Sequence, residues 1–178
     1  MSRVTMKSFA SAISMLILFA AFPVFAAQTM VLKLDGIRGE STKAGHESEI
    51  DVLSWDWGAE MTTSTRVGRG AGAGSSKSYD LTITKWVDAA SPLLYQAVMQ
   101  GKQIREAVFV VATSTSRRET AYITIKLKNV MVTSVKTNQS NSNDRPKEQI
   151  TLSFDSAEYT YTPIKADGSA GSAITVKW

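Results

Sequence analysis

Few side chains in this sequence could carry out covalent or acid–base chemistry. There is one histidine, His46, and no cysteine. His46 lies in a polar segment beside Glu47 and Glu49. A metal centre needs several converging ligands, and one imidazole among scattered carboxylates falls short. His46 is therefore expected to be a solvent-exposed loop residue. Without a thiol or a second imidazole, a Cys–His pair cannot form, and a Ser–His pair could form only through His46. The carboxylate pairs Asp35/Glu40 and Asp144/Glu148 flank turn signals, where acidic side chains usually cap or solvate the backbone. The run RVGRGAGAGSSKS, from Arg66 to Ser78, invites comparison with a phosphate cradle. No glycine directly precedes Lys77, and the run leads into a strand pattern where a phosphate loop would open a helix. No catalytic, cofactor-binding or metal-ligating residue is expected. Trp55 and Trp57 share one face of a strand with Asp56 between them. Core packing is the plainer reading of the two rings, and a platform for a ligand or partner is the sharper one.

The elements that would position these residues follow from periodicity. Tyr79, Leu81, Ile83, Lys85 and Val87 alternate with Asp80, Thr82, Thr84 and Trp86, which predicts a strand with one face on a core. Ser91-Pro92 then predicts a helix start, with the serine hydroxyl as cap. Leu93, Leu94, Ala97 and Val98 fall on one face of that helix, and Tyr95, Gln96, Met99 and Gln100 point away from it. Gly101 predicts the stop. Glu106–Val111 begins the next strand. Elsewhere strands are predicted at 30–37, 49–57, 121–135, 150–161 and 173–178. The apolar phase within 49–57 switches from Ile50 and Val52 to Leu53, Trp55 and Trp57, which suggests a bulge. Further bulges are expected near Asn129 and Ser156. Residues 61–78, 113–118 and 137–144 read as loops. The fold class is mainly β: a bent antiparallel β-barrel of about seven or more strands, with one α-helix at about residues 91–101 packed on its side.

The chain has 178 residues and a formal net charge of +4. Its first 26 residues have the form of a secretory signal peptide, with Arg3 and Lys7 at the start, an apolar stretch from Ile13 to Phe25, and Val24-Phe25-Ala26 before the expected cut. The apolar stretch is too short to span a membrane. Its removal takes away two cations and leaves residues 27–178 as one near-neutral domain. That charge gives no electrostatic basis for binding nucleic acid or a membrane surface. The expected location is secreted or periplasmic. With no cysteine for disulfides, stability must come from packing and strand pairing.

Several stretches resemble the Hcp (haemolysin-coregulated protein) family, the tube component of type VI secretion systems. They are MVLKLDGIRGESTKAGHESEIDVLSWDWG, DLTITKWVDAASPLLYQAVMQGKQIREAV, AYITIKLKNVMVTSV, NDRPKEQITLSF and YTPIKADG. Together they cover essentially all of residues 27–178. The resemblance implies a homohexameric ring of bent barrels, each with a helix on its side. Rings would stack into a tube that works with spike and sheath proteins and holds small effectors in its lumen. It implies that the 61–78 loop contacts the next ring, which makes Arg66, Arg69, Gly70, Gly72 and Lys77 candidate stacking residues. It also places Asp56 in the lumen between Trp55 and Trp57, where members with characterised cargo tend to carry a small neutral polar residue. The leader departs from the family pattern, because members assemble in the cytoplasm. Either this member is exported, or translation starts nearer Met30. A periplasmic or secreted binding protein without a tube role is the alternative function.

Overall fold

The computed structural model describes residues 28–62, 75–115, 118–165 and 167–178. Among the described residues there are eleven strands and one helix, in the order β1 Gln28–Leu34, β2 Ile50–Asp51, β3 Ser54–Asp56, β4 Ala59–Thr62, β5 Ser75–Ser78, β6 Leu81–Trp86, α1 Ser91–Gln100, β7 Gln103–Thr115, β8 Arg118–Asn138, β9 Lys147–Ser153, β10 Ser156–Tyr161 and β11 Ile174–Lys177. All described pairings are antiparallel. The main sheet runs β2-β1-β7-β8-β9-β6-β3, with β10 joining β8 to β11, and β4-β5 forms a separate ribbon.

The bend comes from β8. Its first half pairs with β7 and β10, and its second half pairs with β9. Register irregularities between Val111 and Ala112 and between Val132 and Ser134 mark where the ladders shift. Asn129 adopts a left-handed φ of 52° where the two halves of β8 meet, at the expected irregularity. Asparagine tolerates this conformation better than most residues. A strand that twists and bends this way wraps the sheet around its own apolar face. Leu32, Ile50, Leu81, Ile83, Phe109, Ile125, Leu127, Ile150 and Leu152 are all fully buried there, at 0–1% exposure.

Two predicted strands are divided. The 49–57 strand becomes β2 and β3, because its halves have different partners: β2 pairs with β1, and β3 pairs with β6. At the corner the Val52 amide donates to the Met30 carbonyl and the Leu53 amide to that of Thr84. The change of apolar phase therefore marks a crossing between two parts of the barrel. The 150–161 strand likewise divides at Phe154-Asp155 into β9 and β10. Strand structure also extends into predicted loops, giving β4 and β5 around the glycine-rich run and lengthening β7 through Thr115. Residues 38–49 stay irregular but hydrogen-bonded, with the Gly39 amide donating to Ser48 and that of Ser41 to Glu49. A Cβ at Gly39 would lie 2.4 Å from the Glu49 carbonyl oxygen, so this close approach requires glycine.

Helix α1 ends as predicted, with Gly101 at φ 58° and its amide on the Val98 carbonyl. Its start differs. The N-cap position is Ala90, which makes no side-chain cap bond, and Ser91 is the first helical residue. The buried face is Ser91, Leu94 and Ala97, with Val98 packed against it. Leu93 lies outside this face and is 42% exposed. Leu94→Ala is expected to cost about 2–5 kcal/mol through loss of a fully buried side chain. Leu93→Ala should stay within about 0.5 kcal/mol. Urea unfolding of the two variants checks the assignment; equal losses would contradict it.

Candidate functional site

Alternation in β6 puts Lys85 on the same face as Leu81 and Ile83, and the lysine is fully buried at 0% exposure. Its Nζ donates to the Trp86 carbonyl oxygen at 2.8 Å, Asp88 Oδ1 at 2.6 Å and Ser91 Oγ at 3.0 Å, and it lies 3.0 Å from Glu148 Oε2. Ser91 Oγ accepts from the Asp88 amide at 3.0 Å and donates to Glu148 Oε2 at 2.6 Å. Asp88 Oδ1 also accepts from the Ala90 amide at 2.9 Å. The Asp88 carboxylate thus serves the helix start in place of an N-cap side chain, and Ser91 is committed to the buried cluster. The chain of bonds continues outward through Thr137 Oγ1, which donates to Glu148 Oε1, and then to the Tyr95 hydroxyl.

A serine 3.0 Å from a lysine amine resembles a nucleophile–base pair. Here Ser91 is 5% exposed, its proton is directed at Glu148, and the lysine is held by carboxylates. No substrate can reach this pair. The cluster ties α1, β6 and β9 together. Glu148, read in sequence as a turn-flanking acid, is 1% exposed within β9. Asp144 is apart from it, accepting from Asn141 at 2.9 Å. The sequence reading missed this cluster as a unit. Its signal was a lysine in the core phase of a strand, which requires buried partners.

The other candidates separate. Trp55 packs on Phe109 with ring centroids 5.2 Å apart. Trp57 stacks on Trp178 at 5.5 Å and 14°, with Phe154 and Tyr159 at 6.1 and 6.0 Å. Both rings therefore pack on the apolar core. Asp56, between them, faces outward opposite Thr82. Asp56 and Trp57 line a cleft of about 570 Å³ with Lys77, Tyr79, Asp80 and Thr82. A bond to Glu60 pushes the Tyr79 phenol above its ordinary value. Lys77 is exposed and lies 5.7 Å from the Tyr79 ring centroid. Arg66, Arg69, Gly70 and Gly72 lie outside the described residues. His46 is half-buried and not free in solvent, with Nδ1 2.8 Å from Glu49 Oε2. Among the described residues no three His, Cys, Asp or Glu side chains are placed to share a metal ion. No described helix is long and apolar enough to cross a membrane.

The architecture is a bent antiparallel barrel with one helix on its side. The family model "Type VI secretion system effector, Hcp" matches residues 31–161. The chain is 37% identical to protein hcp1 of Pseudomonas aeruginosa over 153 residues, covering 85% of this chain and 94% of that one. The solved structure of a type six secretion system protein is similar with TM-score 0.79 and 30% identity, covering 85% of this chain and 95% of that one. A type VI secretion system effector from Yersinia pestis is similar with TM-score 0.63 and 29% identity, covering 84% and 98%. The chain belongs to the Hcp family of type VI secretion proteins.

Removing one member of the buried cluster leaves charge without compensation. Lys85→Ala is expected to lower stability by about 3–5 kcal/mol. The triple variant Lys85→Met/Asp88→Asn/Glu148→Gln should lose less than Lys85→Ala alone, because no buried charge remains unpaired. Urea midpoints of both variants test this ordering, and a near-wild-type Lys85→Ala would contradict it.

Proposed function

We propose that this chain is a non-enzymatic, ring-forming subunit of a type VI secretion tube that is exported and carries small effectors in its lumen. The observation that carries the ring reading is the uncovered apolar strip on β11. Ile174, Val176 and Trp178 are 63%, 50% and 50% exposed on an edge strand whose only described partner is β10. Their rows run inward through Tyr161, Tyr159 and Ala157 to buried β8 and β7 residues, so the apolar layer continues past the protomer's own core. Edge strands with exposed apolar side chains call for a partner, and a ring of identical copies supplies one.

In this reading Asp56 faces the lumen and gives it carboxylates that repeat with the ring. The β4–β5 ribbon and the run carrying Arg66, Arg69, Gly70, Gly72 and Lys77 reach the neighbouring ring. Spike and sheath proteins are the further partners. The exposed helix residues Tyr95, Gln96, Met99 and Gln100 belong to the ring's outer wall or its subunit contact. Residues 1–26 form a cleaved leader, and 27–178 form the single mature domain. The second reading, a secreted binding protein, draws on the cleft beside Asp56 and Trp57.

Native mass spectrometry of the purified protein should show a hexamer, and Ile174→Asp/Val176→Asp should shift it towards monomer. Only monomer at high concentration would overturn the ring reading. N-terminal sequencing of extracytoplasmic protein should begin at Ala27; a start at Met1 or near Met30 would overturn the leader.

A further inference from the structure

The outward face of β6, β9 and the end of β8 carries a second cleft, separate from the one beside Asp56 and Trp57. Strand register sets its layout. Thr84, Gln149 and Lys136 form one row across the three strands, and Trp86, Lys147 and Asn138 form the next. The polar members of these rows, with Thr137 and Ser140, line an open cleft of about 490 Å³. Each lining residue can donate hydrogen bonds, and no carboxylate lines the cleft.

Its two ammonium groups are left over. Among the described residues neither Lys136 nor Lys147 forms an ion pair, whereas Lys126, Lys128 and Lys177, on β8 and β11, each pair with a glutamate. All 16 acidic residues of the chain fall within the described segments, so the undescribed ones hold no carboxylate for them. Lys136 lies opposite Gln149, two residues from Lys147, so the two lysines are diagonal neighbours with Cα atoms about 7–8 Å apart. Lys147 Nζ rests 4.9 Å from the Trp86 ring centroid, and the Arg145 guanidinium lies 5.8 Å from the same centroid. Arg145 donates to the Val87 carbonyl at 2.9 Å and lines a separate cleft with Glu40, Asp51 and Asp88, so the cations of this cleft are Lys136 and Lys147. Cations at this spacing repel one another, and an anion between them would remove the penalty.

We infer that this cleft binds an oxyanion, a phosphate or a carboxylate, held between Lys136 and Lys147. Thr84, Gln149 and Asn138 donate to the oxygens that the ammonium groups leave open. Lysine suits this role because its mobile ammonium acts as a point charge that adapts to either group. The Trp86 ring positions Lys147 at the cleft. The binding itself does not depend on ring assembly. Its placement rests on the ring reading: Asp56 pairs with Thr82 on this same face, so the cleft would repeat in each protomer along the lumen.

The test is isothermal titration of the purified protein at low ionic strength with inorganic phosphate, hexaglutamate peptide and hexalysine peptide. Saturable binding of phosphate, hexaglutamate or both is expected, with none of hexalysine at this cleft. Phosphate alone would identify a free-anion site, and hexaglutamate alone a carboxylate-bearing cargo. Lys136→Gln/Lys147→Gln should weaken binding by about tenfold or more, since each lysine contributes a charge-assisted bond. Lys126→Gln/Lys128→Gln, a control on a different part of the sheet, should change it by less than about twofold. Absence of saturable binding, or equal loss in both double variants, would overturn the inference. Native mass spectra of the same samples report assembly separately, so an intact ring without binding would sink this inference alone.

Discussion

Lys85 enters the core of this barrel from β6, and the way its charge is met determines how the helix sits. Two carboxylates from different parts of the chain converge on it, Asp88 just before α1 and Glu148 from β9. Ser91 bonds to both the lysine and Glu148. Hydrophobic contact alone would let a short helix slide along a sheet, because such contact has no direction. Hydrogen bonds to a buried ammonium have strict geometry, and losing one leaves a charge uncompensated. The first turn of α1 is therefore fixed in position, and Leu94 and Ala97 fall on the core as a result.

The second constraint is the length of β8. A strand of 21 residues cannot stay flat within a small domain, and it bends where the partner ladders shift register. Its two halves then serve different neighbours, which encloses the core without every edge being paired. β2 and β3, the ends of the ladder, are only two and three residues long. Short edges of that kind offer little to an unwanted strand. β11 is the exception, and its apolar side chains are exposed on the edge that a neighbouring copy would meet.

Much of this was legible in the sequence because period-2 alternation reports burial directly. Leu81 and Ile83 of β6, and Ile150 and Leu152 of β9, kept their predicted core face, and Gly101 ended the helix where predicted. The errors share a cause. Residues 49–57 and 150–161 each read as one bulged strand, because a change of apolar phase looks the same for a bulge and for a corner between two partners. Only the pairing of β2 with β1 and of β3 with β6 separates these cases. The Ser91 cap failed for a related reason: serine before proline favours a helix start, but a buried ammonium and carboxylate were stronger competitors for its hydroxyl. Asp88 and Glu148 are 60 residues apart in the chain, and no local pattern could have paired them with Lys85.

The buried cluster and the outward lysines are two faces of one arrangement. On β9 the run Lys147-Glu148-Gln149 alternates out, in and out, and on β8 the exposed residues Lys136, Thr137 and Asn138 stand opposite Gln149, Glu148 and Lys147. Glu148 is buried and bonded at 3.2 Å to its cross-strand partner Thr137, while Lys136 and Lys147 are exposed on either side of this pair. The inward side holds two carboxylates against one ammonium, an excess of negative charge within the protein. Charges separated only by the thickness of a sheet act through a medium of low dielectric, where their interaction is stronger than in water. The buried excess offsets part of the repulsion between the outward Lys136 and Lys147, neither of which has an ion-pair partner among the described residues. A one-residue slip of β9 would turn Glu148 outward and a lysine inward, destroying both the clamp on α1 and the cationic cleft, so the register of this one strand holds helix placement and surface charge together.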